Sequence, residues 1–310
     1  MLGFVIVSHN NPDQLFKLIG TLNQLYNYPP IACHHDFSQS KIDLKKFSYN
    51  VSFVVKYIRT SWGDWSVTGA VLKAIELLFE KNDPQWFTLL STADYPITGA
   101  NKVYSELRSS KADAFLDLRP IYGSIPNNHF GIADPNLSQH DNIPLAIKRY
   151  MHARVTIPSV AQNLIAKLQV FINKPTTKVQ NGYRLPFSSP IGPFDSKYRC
   201  FVGSQWFTGN RRIAMKLINP NFRDLSAYKH LKMRWHADES YVNTVLGNDP
   251  SILIDIDPRR YSRWQPGNAH PSVITENDFV DMIASGKHYA RKFIHDSSVV
   301  RMLDEYLGLL

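Results

Sequence analysis

Asp238 and Glu239 stand at the head of the run Ser240-Tyr241-Val242-Asn243-Thr244-Val245-Leu246, in which Tyr241, Val242, Val245 and Leu246 recur at the spacing of one helix face. Carboxylates at such a position have two uses. As solvated or capping groups they offset the positive end of the helix dipole; beside a reacting hydroxyl, one of them takes a proton as general base. Asp94 follows the apolar run 86–90 in Ser91-Thr92-Ala93-Asp94-Tyr95-Pro96. A loop at the carboxyl end of a central strand is where an open α/β sheet binds ligands, although aspartate also serves there as an ordinary turn or cap residue. Asp255-Ile256-Asp257 has the D-x-D form of a metal site, a pattern common by chance. The basic residues come singly or in pairs (Lys45-Lys46, Arg211-Arg212, Arg259-Arg260, Arg291-Lys292), without the run of five or more that marks a nucleic-acid tail.

The elements that must position these residues alternate between strand and helix. Residues 4–7 are continuously apolar, as in a strand covered on both faces. Asn11-Pro12 sets an N-cap before a helix-starting proline, and Leu15, Leu18, Ile19, Leu22 and Leu25 keep helical spacing until Tyr28-Pro29-Pro30. Strands are expected at 31–35, closing on Asp36, and at 51–57, which is rich in β-branched residues. The turn Trp62-Gly63-Asp64-Trp65-Ser66 precedes an amphipathic helix from Val67 to about Lys81, then a strand at 86–90, a helix through 103–107 and a strand at 114–118. Regular alternation is lost from 119 to 199, where helices are expected near 143–155 and 160–172. Gly203-Ser204-Gln205-Trp206-Phe207 restarts the order, followed by a helix at 211–217, the 236–246 stretch, a strand at 251–256 and a terminal helix.

With 310 residues, 44% of them hydrophobic, the chain buries a large core without staples. Lys plus Arg outnumber Asp plus Glu by 35 to 26, a net +9, which suits an anionic ligand, an anionic membrane surface or a nucleic acid. Cys33 and Cys200 are the only cysteines, so neither a disulfide framework nor a zinc site is supported and a reducing cytoplasm is the expected home. The apolar start lacks a basic leader and reads as a strand, and no apolar stretch is long enough to span a bilayer.

Seven segments in one order along the chain carry a resemblance: Val5-Ile6-Val7-Ser8-His9, His34-His35-Asp36, Trp62-Gly63-Asp64-Trp65-Ser66, Leu90-Ser91-Thr92-Ala93-Asp94-Tyr95-Pro96-Ile97, Gly203-Ser204-Gln205-Trp206-Phe207, Asp238-Glu239-Ser240 with Thr244, and Ala290-Arg291-Lys292-Phe293. In these segments the sequence resembles the core-2/I-branching β-1,6-N-acetylglucosaminyltransferases together with the peptide O-xylosyltransferases, and the fourth and last lean toward the xylosyltransferase branch. The 119–199 stretch matches neither.

That resemblance implies a single GT-A domain over 1–310, an α/β, Rossmann-like nucleotide-sugar fold with an irregular, partly helical insertion. Residues 1–118 would be its nucleotide-binding half, 119–199 a variable insertion and 200–310 the acceptor and catalytic half. It implies a UDP-sugar donor carrying GlcNAc or xylose, a glycan or lipid-linked saccharide acceptor, inversion at the anomeric carbon, no cofactor and no divalent metal. Glu239 aligns with the base, and Arg291 and Lys292 with the residues that hold the diphosphate. Val7, His9, Asp36 and Asp94 would line the donor side. Gln205, Trp206 and Asp238 would face the acceptor. The N-acetylglucosaminyl branch carries a second phosphate-binding arginine where this sequence reads Asn268-Ala269-His270-Pro271, so His270 is its candidate replacement. The expected setting is cytoplasmic, with the basic surface held peripherally against an anionic inner membrane face. Nucleic acid is not an expected partner. A non-catalytic sugar-nucleotide or glycan-binding protein on the same fold is the alternative, since fold alone does not establish activity.

Overall fold

A computed structural model describes residues 1–132, 150, 177–179, 182–184, 193–219, 221, 226–234, 236–265 and 270–310. The two helices expected near 143–155 and 160–172 lie outside the described residues, Tyr150 excepted. Strand β1 (Leu2–Ser8) feeds helix α1 (Pro12–Tyr26), and β2 (Ile31–His35) returns parallel to β1 with Val7 opposite His34. Helix α1 has the bounds its punctuation sets. Asn11 enters it in left-handed backbone (φ 49°) and Asn27 leaves it likewise (φ 54°), a region asparagine tolerates. The Asn11 side chain makes no capping bond, so Pro12 alone supplies the start signal.

Strand β3 (Val51–Phe53) is shorter than the expected 51–57, because the chain beyond it turns to donate the Ile58 N–H to the ring of His34 at 2.8 Å. Helix α2 (Trp65–Lys81) begins two residues early, capped by Asp64, whose carboxylate accepts from the Ser66 N–H at 2.8 Å. After β4 (Trp86–Ser91), Asp94 opens a short strand, β5 (Asp94–Pro96), where a loop was expected. Next come α3 (Ala100–Ser109), β6 (Ala114–Phe115), β7 (Arg119–Pro120), β8 (Thr177–Val179), β9 (Gly182–Arg184), β10 (Phe201–Val202) and β11 (Thr208–Asn210). They are followed by α4 (Arg211–Ile218), α5 (Ser226–Leu231), α6 (Tyr241–Gly247), β12 (Ile254–Asp255), β13 (Arg260–Ser262), α7 (Phe279–Ala284), β14 (Tyr289–Arg291) and α8 (Ser298–Tyr306).

Among the described residues, seven strands form the main sheet in the order β12-β6-β11-β4-β1-β2-β3. Every pairing is parallel except those of β11, which runs against both β4 and β6. Parallel neighbours bring the ends of β1, β2 and β4, and with them His9, Asp36 and Thr92, to one edge. The sheet is buried on both faces, as its apolar runs require. Leu2, Phe4 and Ile6 of β1 pack with Leu15, Leu18 and Leu22 of α1, whereas Val5 between them packs with Val71, Ile75 and Leu78 of α2. A smaller sheet, β13-β14-β5, lies beyond the end of β4 and sets Arg291 opposite Asp94. No helix among the described residues is long and apolar enough to cross a membrane.

Candidate active site

The acidic pair does not sit in the first turn of an α-helix. Residues Ala237–Glu239 form a 3-10 turn, Ser240 breaks the helical path (φ −139°), and α6 starts at Tyr241. Tertiary contacts impose the break. His236 is left-handed (φ 57°) and donates its N–H to the Gly63 carbonyl at 2.8 Å, while the Gly203 N–H donates to the Glu239 carbonyl at 2.9 Å. One turn on, the Asn243 amide donates to the Asp117 carbonyl at 2.6 Å, and Thr244 Oγ1 exchanges bonds with the N–H and carbonyl of Phe201, both at 3.0 Å. Gly203 is required here, because a Cβ would lie 2.1 Å from the Asp117 carbonyl oxygen and 2.6 Å from Asn243 Nδ2.

The two carboxylates have different surroundings. Glu239 is partly open, with Oε2 accepting from the Tyr150 hydroxyl at 2.7 Å and Oε1 4.0 Å from His236 Nδ1. Asp238 is half-buried as a residue, but its Oδ1 is buried and has no hydrogen-bond partner among the described residues. Burial, and then the negative charge of Glu239, push the Asp238 carboxyl well above the usual carboxylate range. The carboxyl pushed upward thus stands beside a second that is half-exposed and accepts from the Tyr150 hydroxyl.

Across from this turn lies a cluster of cations. The Arg291 guanidinium stacks on Trp206 at 4.2 Å from the ring centroid, and its Nε and Nη1 have no hydrogen-bond partner among the described residues. Burial lowers its pKa, partly offset by the charge of Asp94. Lys292 is lowered by burial and then by Arg291, with Asp94 opposing. Beneath them Arg260, 2% exposed, lies 4.7 Å over the Tyr289 ring, donates Nη2 to the Leu89 carbonyl at 2.7 Å and places Nη1 3.6 Å from Asp94 Oδ1. Asp94 itself is 1% exposed, and its Oδ2 accepts from the N–H and hydroxyl of Ser91 at 2.7 and 2.5 Å. It thus serves as the counter-charge of a buried cation group.

Trp62 joins the two sides. Its ring meets His236 edge-on at 4.6 Å and His270 at 5.5 Å. His270 is lowered by burial and then by the charges of Lys292 and Arg291. Through these two histidines the half-exposed indole links the turn bearing Glu239 with the neighbourhood of the cations at 291–292.

The edge at β1 and β2 lies apart from this pairing. Asp36 accepts five bonds from its own chain: Ser38 N–H and hydroxyl, Gln39 Nε2, and Thr60 N–H and hydroxyl, at 2.6–3.0 Å. Burial opposes its ionisation, but these donors outweigh it and hold the carboxyl far below the usual range. In this state Asp36 organises the loop after β2. His35 Nε2 meets the Ser40 carbonyl at 2.9 Å, which makes that nitrogen the protonated one and Nδ1 the acceptor of the Ser8 hydroxyl. His9 lies exposed where β1 ends, Val7 is half-buried opposite His34, and Gln205 is half-buried beside Trp206. Trp206 has Arg291 over its ring, which sets it beneath the cation group instead of leaving an open platform.

Asp255 and Asp257 are committed elsewhere. Arg259 bonds both, at 3.1 and 2.9 Å, and Lys287 bonds Asp257 at 2.7 Å. No cluster of three metal-ligating side chains occurs among the described residues.

A model of the Core-2/I-branching enzyme family matches residues 5–123 and 136–283, most of the chain. The chain belongs to the Core-2/I-branching enzyme family. No curated protein matches the sequence significantly. Among solved structures, the apo WbbM bifunctional glycosyltransferase is similar with a TM-score of 0.35 and 10% identity over 93% of this chain and 45% of that one. The apo form of mouse xyloside xylosyltransferase 1 is similar with a TM-score of 0.35 and 9% identity, over 94% of this chain and 97% of that one. The chain spans less than half the length of the first and nearly all of the second. A Core-2/I-branching enzyme is a glycosyltransferase, and this one has a mixed α/β fold around a mostly parallel sheet. Two residues at the site of this Core-2/I-branching enzyme, Trp62 and Arg260, carry no local sign of their place. Trp62 stands in the sequence as part of the turn and resemblance segment 62–66, and only its exposure and ring contacts in the fold mark it out. Arg260 was read as half of a basic surface pair, because nothing local tells a buried arginine from a solvated one.

Proposed function

We propose that the protein is an inverting, metal-independent glycosyltransferase that moves GlcNAc or xylose from a UDP-sugar to a hydroxyl of a glycan or lipid-linked acceptor. The observation that carries this reading is Trp62, whose ring meets both His236, three residues before Glu239, and His270, which feels the charges of Lys292 and Arg291. Glu239 takes the proton of the acceptor hydroxyl as its oxygen attacks the anomeric carbon. The bond from that carbon to the diphosphate oxygen breaks on the opposite face, and its electron pair leaves with UDP. Arg291 donates to the departing phosphate oxygens, Lys292 adds a point charge, and His270 adds a donor at their rim. Trp206 fixes the guanidinium plane.

The single carboxylate at Thr92-Ala93-Asp94 already faces Arg260, so a divalent ion there would meet a cation and too few hard oxygen ligands. Fixed cations take the place of the metal. Donor hydrolysis over a panel of UDP-sugars identifies the sugar, and Glu239→Gln should retain UDP affinity while losing turnover by about 10²–10⁴-fold, the usual worth of a positioned base. Unchanged turnover would remove Glu239 from the mechanism. Activity lost in EDTA and restored by Mn²⁺ would overturn the metal-free reading. The net +9 charge supports peripheral attachment at an anionic inner membrane face, which salt-reversible binding to anionic vesicles would test.

A further inference from the structure

Among the described residues, Tyr150 brings a side chain from the 119–199 stretch to the candidate base. Tyr150 is fully buried, and its hydroxyl donates to Glu239 Oε2 at 2.7 Å, the length of a charge-assisted bond. Its backbone is held as well. His230 Nε2 lies 2.9 Å from the Tyr150 carbonyl, and a carbonyl only accepts, so Nε2 carries the proton and Nδ1 accepts from Arg234 Nη2 at 3.0 Å. Burial, and then the Arg234 charge, lower the His230 pKa to about 4 against the pull of the Tyr150 carbonyl, which keeps this relay in one tautomer at neutral pH. The His230 ring is further set by Phe194, edge-on at 5.2 Å. From α5 to the base there is thus a continuous chain, Arg234–His230–Tyr150–Glu239, whose last link crosses from the 119–199 segment.

We propose that Tyr150 is a positioning residue for Glu239: its hydroxyl pins Oε2 and turns Oε1 to the acceptor. This rests on Glu239 being the base. In the transfer step the acceptor proton passes to Oε1 while the Tyr150 O–H bond stays intact, so the tyrosine neither gains nor loses a proton. A carboxylate with one oxygen anchored loses less rotational freedom on reaching the transition state, which favours kcat over substrate affinity. Among the described residues, the charged groups that also face Glu239 include His236 at Oε1, Asp238 next in the chain with its pKa raised, and Asp64 acting through Asp238. The stretch 119–199 carries no segment of the resemblance, yet the family model runs through it from 136 onward, and Tyr150 within that match would on this basis complete the active site.

The test compares Tyr150→Phe, which keeps the buried ring, with Glu239→Gln in the full chain, using the UDP-sugar that the donor panel selects. Glu239→Gln should abolish turnover with UDP still bound. Tyr150→Phe should lower kcat roughly tenfold, the lower end for a hydrogen bond to a charged group, with donor KM unchanged. It should also move the acid limb of kcat/KM to higher pH, because a carboxylate stripped of a donor holds its proton longer. Fluorotyrosine at position 150, a stronger donor of nearly the same shape, should move that limb to lower pH, a response no packing role produces. A dead Glu239→Gln beside a Tyr150→Phe enzyme with wild-type kcat and pH profile overturns the positioning role alone. A rise in kcat in Tyr150→Phe also overturns it, since the hydroxyl would then be occupying the acceptor's place. Turnover by Glu239→Gln overturns the base assignment and this inference with it.

Discussion

Arg291→Met separates the two things a buried cation can do. In the free protein Nε and Nη1 of Arg291 lie buried with no hydrogen-bond partner among the described residues. Each such donor costs about 1–3 kcal/mol, so relieving two of them favours the variant. Against this stand the contact with Trp206, worth about 0.5–2 kcal/mol, and the attraction of Asp94, which keeps Arg260 as its counter-charge. Methionine refills most of the vacated volume, so little cavity cost is added. The balance is a folded state about 1 kcal/mol more stable, in line with apolar replacement of other buried charges, or a rise in Tm of about 2 °C. UDP affinity should move the opposite way. Two charge-assisted bonds to phosphate are lost, and a net loss of about 3 kcal/mol weakens Kd by about 150-fold. Thermal melts and calorimetric titration with UDP read both numbers on the same sample. A Tm lower by several degrees, with UDP affinity within threefold of wild type, would refute the reasoning: Arg291 would then be a structural cation holding Asp94 and Trp206.

Two other perturbations follow from the same geometry. Because the folded-state pKa of Asp238 lies above its unfolded value, the native state holds the extra proton, and stability is full in acid and declines as pH rises through the raised pKa. Asp238→Asn removes that dependence, so urea melts at pH 5 and pH 9 should show wild type losing more than about 1 kcal/mol relative to the variant, the worth of a single pKa unit; parallel pH profiles would contradict the protonated state. Gly203→Ala forces a Cβ to 2.1 Å from the Asp117 carbonyl and so strains the bond that anchors Glu239. It should cost about 3 kcal/mol in urea denaturation and lower kcat more than it changes donor KM, and a wild-type urea midpoint would refute the close packing.

Where local chemistry sets an element, the sequence places it well. Asn11-Pro12 and Tyr28-Pro29-Pro30 bound α1 at 12–26, and continuous apolar runs mark β1, β2 and β4 as strands of a sheet covered on both faces. Errors gather where the partner is distant. Asp94-Tyr95-Pro96 resembles a turn by composition, and only pairing with 289–291 makes it a strand. The spacing of 241–246 is truly helical, but the contacts of His236 with Gly63 and of Glu239 with Gly203 cut the helix off before the acidic pair. Thr208–Asn210 had no strand signal because it is a short antiparallel insertion between two parallel neighbours.

The sequence by itself determined the alternation of strands and helices, the charged residues available for chemistry, and, through their order, the kinship to one enzyme family. Which of those charges are free to act was decided only by the tertiary structure. Asp94 and Arg291 are a short turn and a basic pair in the linear chain, and folding makes the first a buried counter-charge and leaves the second short of partners. Asp238 and Glu239 are chemically near-equivalent neighbours until folding sinks the Asp238 carboxyl, raising its pKa, and sets the Tyr150 hydroxyl on Glu239 Oε2. The reason is physical: desolvation and hydrogen-bond geometry depend on residues 30 to 200 positions away, and no local window of sequence contains them.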